Sequence, residues 1–327
     1  MFPHPNWFLS VTERDFEARA LELFRYQYAR NKVYRRFADL LGRTPEHVTS
    51  LQHIPFLPVA FFKTYEVVSA PPPYEAVFLS SGTTGMTPSR HFVKDLSLYE
   101  ASFLNAFEYF YGPVTDWTVL ALLPSYLERE GSSLVYMARE LIRRSGKPES
   151  GFYLHDHARL RDTLLRLEEQ ERKTLLLGVS FALLDLAEKY RMHLHHTVVM
   201  ETGGMKGRRR EPVREELHAY LTQRLGTPAI HSEYGMTELL SQAYSKGQGL
   251  FRTPPWMKVL IYEPEDPLSY VRPGQSGGIN IIDLANIHSC AFIATRDLGK
   301  IHPDGRFQVL GRFDNSDIRG CNLLVAE

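Results

Sequence analysis

The chain has 327 residues, with 38 Lys+Arg balanced by 38 Asp+Glu. That neutrality gives no support for nucleic acid or an anionic membrane as the main partner. Only two cysteines are present, Cys290 and Cys321, which argues against a disulfide framework and points to a reducing cytoplasm. The opening MFPHPNWFLSVTERDFEARA lacks a basic region followed by an apolar run, so no signal peptide is expected. No apolar stretch approaches the ~20 residues that span a bilayer.

In chain order, Phe16, Ala20, Leu23, Phe24, Tyr28 and Phe37 recur at helical steps and predict a helix over 12–41. Thr12 stands where a cap belongs and Gly42 where the helix stops. A Pro-broken apolar stretch, 53–62, reads as irregular and packed, and Pro71-Pro72-Pro73 as a linker. From there short apolar strands alternate with helices. Strands are predicted at 76–79, 119–123, 174–179 and 197–200, and helices at 95–110, 132–144, 160–170, 181–190 and 212–225. This alternation predicts an α/β layered fold with a mainly parallel sheet. The last third is rich in Pro and Gly, with β runs at 259–262, 278–282, 291–294 and 307–310. It reads as a smaller β-rich subdomain. The expected organisation is an N-terminal helical segment (1–75), an α/β nucleotide-binding core (76–250) and a β-rich subdomain with a tail (251–327).

Four motifs carry chemistry. Ser80-Ser81-Gly82-Thr83-Thr84-Gly85-Met86-Thr87-Pro88 follows a strand and is expected to lead into a helix. Its glycines let the backbone approach a ligand, and its hydroxyls and N–H groups can donate to phosphate oxygens. It lacks the Gly-Lys-Ser/Thr of a Walker loop, which counts against a P-loop ATPase. Alone, it also reads as a flexible linker. In His231-Ser232-Glu233-Tyr234-Gly235-Met236-Thr237-Glu238, the ring suits an adenine face and the Glu238 carboxylate suits Mg²⁺. The same residues also read as a helix N-terminus capped by Thr237 or Glu238. In Thr295-Arg296-Asp297-Leu298-Gly299, an Asp placed at a strand end can accept from ribose hydroxyls; an Asx turn is the plainer alternative. Gly311-Arg312-Phe313-Asp314 follows a predicted strand and reads equally as a hairpin exit.

Taken together and in this order, the motifs resemble those of the adenylate-forming superfamily of acyl-CoA and aryl-CoA ligases. The resemblance implies ATP and Mg²⁺ as cofactors. It places Ser80, Ser81, Gly82, Thr83, Thr84, Gly85 and Thr87 on the ATP phosphates, and Tyr234 with Gly235 beside adenine. It gives Thr237 the α-phosphate side, Glu238 the Mg²⁺, Asp297 the ribose hydroxyls and Arg312 the edge of the nucleotide. Gly203 and Gly204 form the turn beside adenine. More narrowly, 202–208, 231–242 and 315–321 are similar to the acyl-protein synthetase (LuxE-like) family. Its members adenylate a fatty acid, move the acyl group to their own cysteine and pass it to a reductase. The implied acceptor is Cys321, beside Arg319 and Gly320. Ligases of the superfamily continue into a mobile C-terminal domain carrying a lysine for adenylation; the sequence ends at Glu327, and that lysine has no counterpart.

Other candidates carry less. His193, His195 and His196 have no accompanying ligand cluster for zinc, and Arg208-Arg209-Arg210 reads as a solvated face. Lys206 is left without a role, and Cys290 reads as a small buried hydrophobe. The expected reaction is ATP-dependent formation of an acyl-AMP followed by transfer to a protein thiol. The rivals are a ligase that transfers to CoA and a non-catalytic nucleotide-binding scaffold.

Overall fold

The structure, a computed structural model, describes residues 6–80, 87–123, 131–203 and 213–313. The N-terminal part holds α1 (Phe16–Arg30), α2 (Lys32–Leu40), the short β1 (Leu57–Pro58) and α3 (Phe61–Thr64). Then follow β2 (Ala76–Leu79), β3 (Arg90–Val93), α4 (Leu96–Tyr111), β4 (Thr118–Leu122), α5 (Ser133–Ser145) and β5 (Gly151–Phe152). Next come α6 (His157–Glu169), β6 (Thr174–Val179), α7 (Ser180–Lys189), β7 (Thr197–Thr202), α8 (Arg214–Leu225) and β8 (Ile230–Tyr234). The rest is strand: β9 (Ala243–Ser245), β10 (Phe251–Arg252), β11 (Met257–Glu263), β12 (Asp266–Tyr270), β13 (Ser276–Asp283), β14 (Phe292–Ile301) and β15 (Phe307–Arg312).

Among the described residues thirteen strands form one sheet, in the order β12-β11-β13-β14-β15-β10-β9-β8-β7-β6-β4-β5, with β1 added to β14. The β8-β7-β6-β4-β5 half is parallel, and from β9 onward the pairing on the main path is antiparallel. The α/β class with a parallel core sheet is therefore observed. Strands β4 and β6 are buried at every position, as strands covered by helices on both faces require.

The predicted 12–41 helix is two helices. Asn31 leaves helical geometry (φ −90°, ψ 105°), and its side chain accepts from the Tyr34 N–H to cap the second. Thr12 is not the cap residue; its hydroxyl donates to Asp15, which starts α1. Gly42 follows α2 at φ +64°, where a side chain is disfavoured. α1 and α2 are fastened to the antiparallel half by buried amides. Gln27 Nε2 donates to the carbonyls of Asn286 (2.8 Å) and Ile287 (3.0 Å), and its Oε1 accepts from Ala291 N–H (2.9 Å). Asn31 donates to the Ser289 carbonyl.

A further expectation is overturned. Ser80–Pro88 does not lead into a helix: β2 and β3 pair antiparallel as a separate two-stranded sheet, so the loop is a hairpin connection. The sequence 90–93 is a strand because His91 and Val93 are buried in alternation with Arg90 and Phe92.

Candidate nucleotide site

The parallel strands β6, β7 and β8 end side by side, with Val179 opposite Thr202 and Thr202 opposite Glu233. Ligands of open α/β sheets bind beyond such carboxyl ends. Gly203 leaves β7 at φ +71°, and its carbonyl accepts a short hydrogen bond from the Ser180 hydroxyl. The single Ser180 proton is shared with Glu201 Oε1, 2.5 Å from the hydroxyl oxygen.

Tyr234, the last residue of β8, packs edge-on against both Phe251 and Phe307 (ring centroids 5.9 and 5.8 Å), which stack on each other. Its hydroxyl donates to Asp297 Oδ2 at 2.7 Å, and Arg312 Nε donates to Asp297 Oδ1 at 3.2 Å. Burial, reinforced by the Asp297 charge, raises the Tyr234 pKa well above its ordinary value, so the phenol stays a donor. Asp297 is not at a strand end. It lies inside β14, directly opposite Arg312 of β15, and cross-strand register makes the pair.

The segment after β8 is not a helix N-terminus; residues 235–236 are irregular and 237–238 lie in a turn. It is held by three neighbours. Asp283 Oδ2 accepts from the N–H groups of Leu240 (2.7 Å) and Ser241 (3.0 Å), while Oδ1 accepts from Ser241 Oγ (2.5 Å) and Ala285 N–H (3.1 Å). Asn286 Nδ2 donates to the Glu238 carbonyl (2.8 Å), and His91 Nδ1 lies 2.8 Å from the Thr237 carbonyl. Burial pushes His91 down to about 4, so the ring is neutral and carries one N–H, while its two nitrogens face two oxygens, the Thr237 carbonyl and Asn286 Oδ1 (3.2 Å).

The hairpin loop is closed at its base by Ser80 and Ser89: Ser80 N–H donates to the Ser89 carbonyl, and Ser80 Oγ accepts from Ser89 N–H at 2.8 Å. The Ser89 hydroxyl is hydrogen-bonded to the buried Glu238 carboxylate, which also feels Arg312 and Lys63. Burial still wins and raises the Glu238 pKa, a penalty that a bound cation would relieve. In its chemistry, a buried carboxylate such as Glu238 suits a hard cation of the Mg²⁺ kind. No group of three or more metal-ligating side chains occurs among the described residues.

The fold thus gathers Ser80, Gly203, Tyr234, Gly235, Thr237, Glu238, Asp297 and Arg312 around the strand ends, with Thr87 exposed on the hairpin. Ser81, Gly82, Thr83, Thr84, Gly85, Gly204 and Cys321 lie outside the described residues. Cys290 is fully buried, its thiol donates to the Phe292 carbonyl, and burial pushes it up to about 12, the state of an inert core residue. Sequence reasoning missed Asp283, Asn286 and His91. All three act on residues 42–195 positions away, and no local spacing announces them. Glu233, inside a recognised motif, was also passed over.

No protein-family profile matches the chain, and no curated protein matches it by sequence. Solved structures do match in fold. ATP-bound MatB from Rhodopseudomonas palustris matches with 19% identity and TM-score 0.56, over 73% of this chain and 48% of that one. A 2-hydroxyisobutyryl-CoA ligase in complex with 2-HIB-AMP and CoA matches with 16% identity and TM-score 0.65, over 96% of this chain and 73% of that one. O-succinylbenzoate coenzyme A synthetase (MenE) from Bacillus subtilis, in complex with AMP, has 19% identity and TM-score 0.50, over 73% and 50%. The fold is that of the N-terminal domain of adenylate-forming ligases. The chain spans about half the length of the MatB structures it matches. No helix among the described residues is long and apolar enough to cross a membrane.

Proposed function

We propose that the chain activates a carboxylic acid with ATP, forming acyl-AMP and pyrophosphate, and that the acyl group then passes to a thiol. The observation that carries this reading is the convergence of two pairs at the strand ends: Tyr234 with Asp297, and Glu238 with Ser89. The matched ligases, solved with ATP, AMP, an acyl-AMP and CoA, add support.

In this reading a carboxylate oxygen of the substrate attacks the α-phosphorus of ATP. The bond from that phosphorus to the α,β-bridging oxygen breaks, and pyrophosphate leaves with the electron pair. Catalysis is chiefly positioning and charge stabilisation. Asp297 accepts the ribose hydroxyls with the lone pairs left by Tyr234 and Arg312. The hairpin loop from Ser80 to Thr87 donates to the phosphates, and Thr237 to the α-phosphate. Gly203, Gly204, Tyr234 and Gly235 border the adenine. Glu238 would hold Mg²⁺, which supplies charge neutralisation at the phosphates.

For the second step, the resemblance to acyl-protein synthetases favours Cys321 as acceptor. Its thiolate attacks the acyl carbon, AMP departs, and a thioester remains for a reductase to collect. That family resemblance also favours a fatty acid and a cytoplasmic setting. Transfer to CoA is the second reading, favoured by CoA in a matched structure.

The test is acid-dependent exchange of labelled pyrophosphate into ATP. Wild-type protein is expected to exchange, and Glu238→Gln to lose most of the rate with its fold intact. No exchange with any acid, or wild-type exchange in Glu238→Gln, overturns the reading. Cys321→Ser should keep exchange and lose hydroxylamine-labile acyl label on the protein. Label persisting in that variant, or appearing on Cys290 or only on CoA, removes Cys321 as acceptor.

A further inference from the structure

Two buried carboxylates near the site are treated very differently. Asp283 receives four hydrogen bonds and is sealed from solvent. From the described residues Glu233 receives one, from the Thr202 hydroxyl to Oε2, and it stays partly accessible. Its Oε1 turns toward Gly235, so close that a Cβ there would lie 2.5 Å away. Glycine in the motif thus leaves room for this carboxyl group. A carboxylate desolvated at a strand end normally collects several donors.

The surroundings are polar-aromatic. Cross-strand register puts Glu233 beside Thr202 and Tyr244, and its charge is felt by Tyr99 of α4. Two residues earlier, on the same face of β8, His231 Nδ1 lies 3.1 Å from the Tyr111 hydroxyl. A bare alkyl chain would leave Glu233 Oε1 without a partner against hydrocarbon.

We propose that Glu233 is a specificity-determining residue: a hydroxyl or ammonium group carried on the carboxylic substrate donates a hydrogen bond to its Oε1. The proposal rests on the adenylation reading and narrows its substrate to donor-bearing acids. Burial, opposed by the Thr202 hydrogen bond and reinforced by Glu201, raises the Glu233 pKa to about 7; a donated hydrogen bond or a positive charge offsets that burial. Sites built to hydrogen-bond a substrate reject analogues that lack the group far more strongly than apolar pockets reject a methylene.

The test compares pyrophosphate exchange with unsubstituted alkanoic acids and with chain-matched hydroxy- and amino-alkanoic acids, in wild type, Glu233→Gln and Glu233→Leu. Wild type is expected to favour one donor-bearing series by roughly tenfold or more in kcat/KM. Glu233→Leu should abolish that preference. Glu233→Gln separates the donors: it keeps a preference for hydroxy acids and loses one for amino acids. The inference is overturned if wild type shows no preference for a donor-bearing acid, or if Glu233→Leu leaves the preference intact. Should Glu233→Leu not fold, the wild-type preference and Glu233→Gln still decide. Absence of exchange with every acid overturns the adenylation reading instead. Calorimetric binding of the same acids in the presence of ATP then judges Glu233 separately: tenfold weaker binding of the donor-bearing acid to Glu233→Gln or Glu233→Leu supports it, and equal binding to both variants overturns it.

Discussion

The Tyr234 hydroxyl and the Asp297 carboxylate, 63 residues apart in the chain, meet at 2.7 Å and tie the end of the parallel half-sheet to the middle of β14. Tyr234→Phe keeps the ring against Phe251 and Phe307 and removes the hydroxyl donor. A hydrogen bond to a charged, mostly buried acceptor contributes about 2 kcal/mol. Urea unfolding should show a loss of that order, and the KM for ATP in pyrophosphate exchange should rise because Asp297 is no longer held. Unchanged stability and unchanged KM would show that the contact has no role.

Asp283 organises the chain just after Glu238. An asparagine there has one acceptor oxygen, so whichever way it is turned, its NH₂ group faces either the Leu240 and Ser241 N–H groups or the Ser241 hydroxyl and Ala285 N–H. Unsatisfied buried donors cost about 1–3 kcal/mol each. Asp283→Asn is expected to lose about 3 kcal/mol in urea unfolding and to slow exchange, since the Glu238 segment loosens with it. A variant as stable as wild type counts against this role.

Glu233 makes stability depend on pH. Its folded pKa lies near 7, above its ordinary 4.5, so the native state keeps a proton that the unfolded chain releases. The contribution of this group is full below about 4.5 and is lost as pH rises through about 7. Because the side chain is partly accessible, the loss is about 1–3 kcal/mol, less than the whole shift would give. Glu233→Gln removes the titration. Relative to wild type, it should therefore gain stability between pH ~5 and pH ~8, measured by urea midpoints at several pH values. An identical pH dependence in the two proteins would sink the assignment.

Gly235→Ala places a methyl against Glu233 Oε1, an oxygen whose carboxyl group is anchored by Thr202. The single variant should be destabilised by about 1–2 kcal/mol, the range for overpacking. In a Glu233→Ala background the same change should cost little, because the obstructing oxygen is gone. Additive losses across this double-mutant cycle would show that the two residues do not compete for the space.

By itself, the sequence determined the α/β class and most of the helices and strands behind the site, because hydrophobic periodicity is a local property that reports which face is buried. The run 174–179 reads as a buried strand from its core of three leucines and Val179, and it is one. Four motifs were legible too, since glycines, hydroxyls and a Thr-Glu pair stand together in the chain. What those motifs touch was decided by tertiary structure. The pairing of Asp297 with Arg312 comes from cross-strand register between β14 and β15, and with Tyr234 from the sheet order that carries β8 toward them. The hairpin that closes the Ser80 loop depends on His91 being buried against Thr237 and Asn286, residues 146 and 195 positions away. The contrast between Asp283 and Glu233, which take four hydrogen bonds and one from the described residues, is likewise invisible in sequence. Both are acidic residues at the end of a strand, and only the count of donors that the fold brings to each separates structural anchor from candidate recognition group.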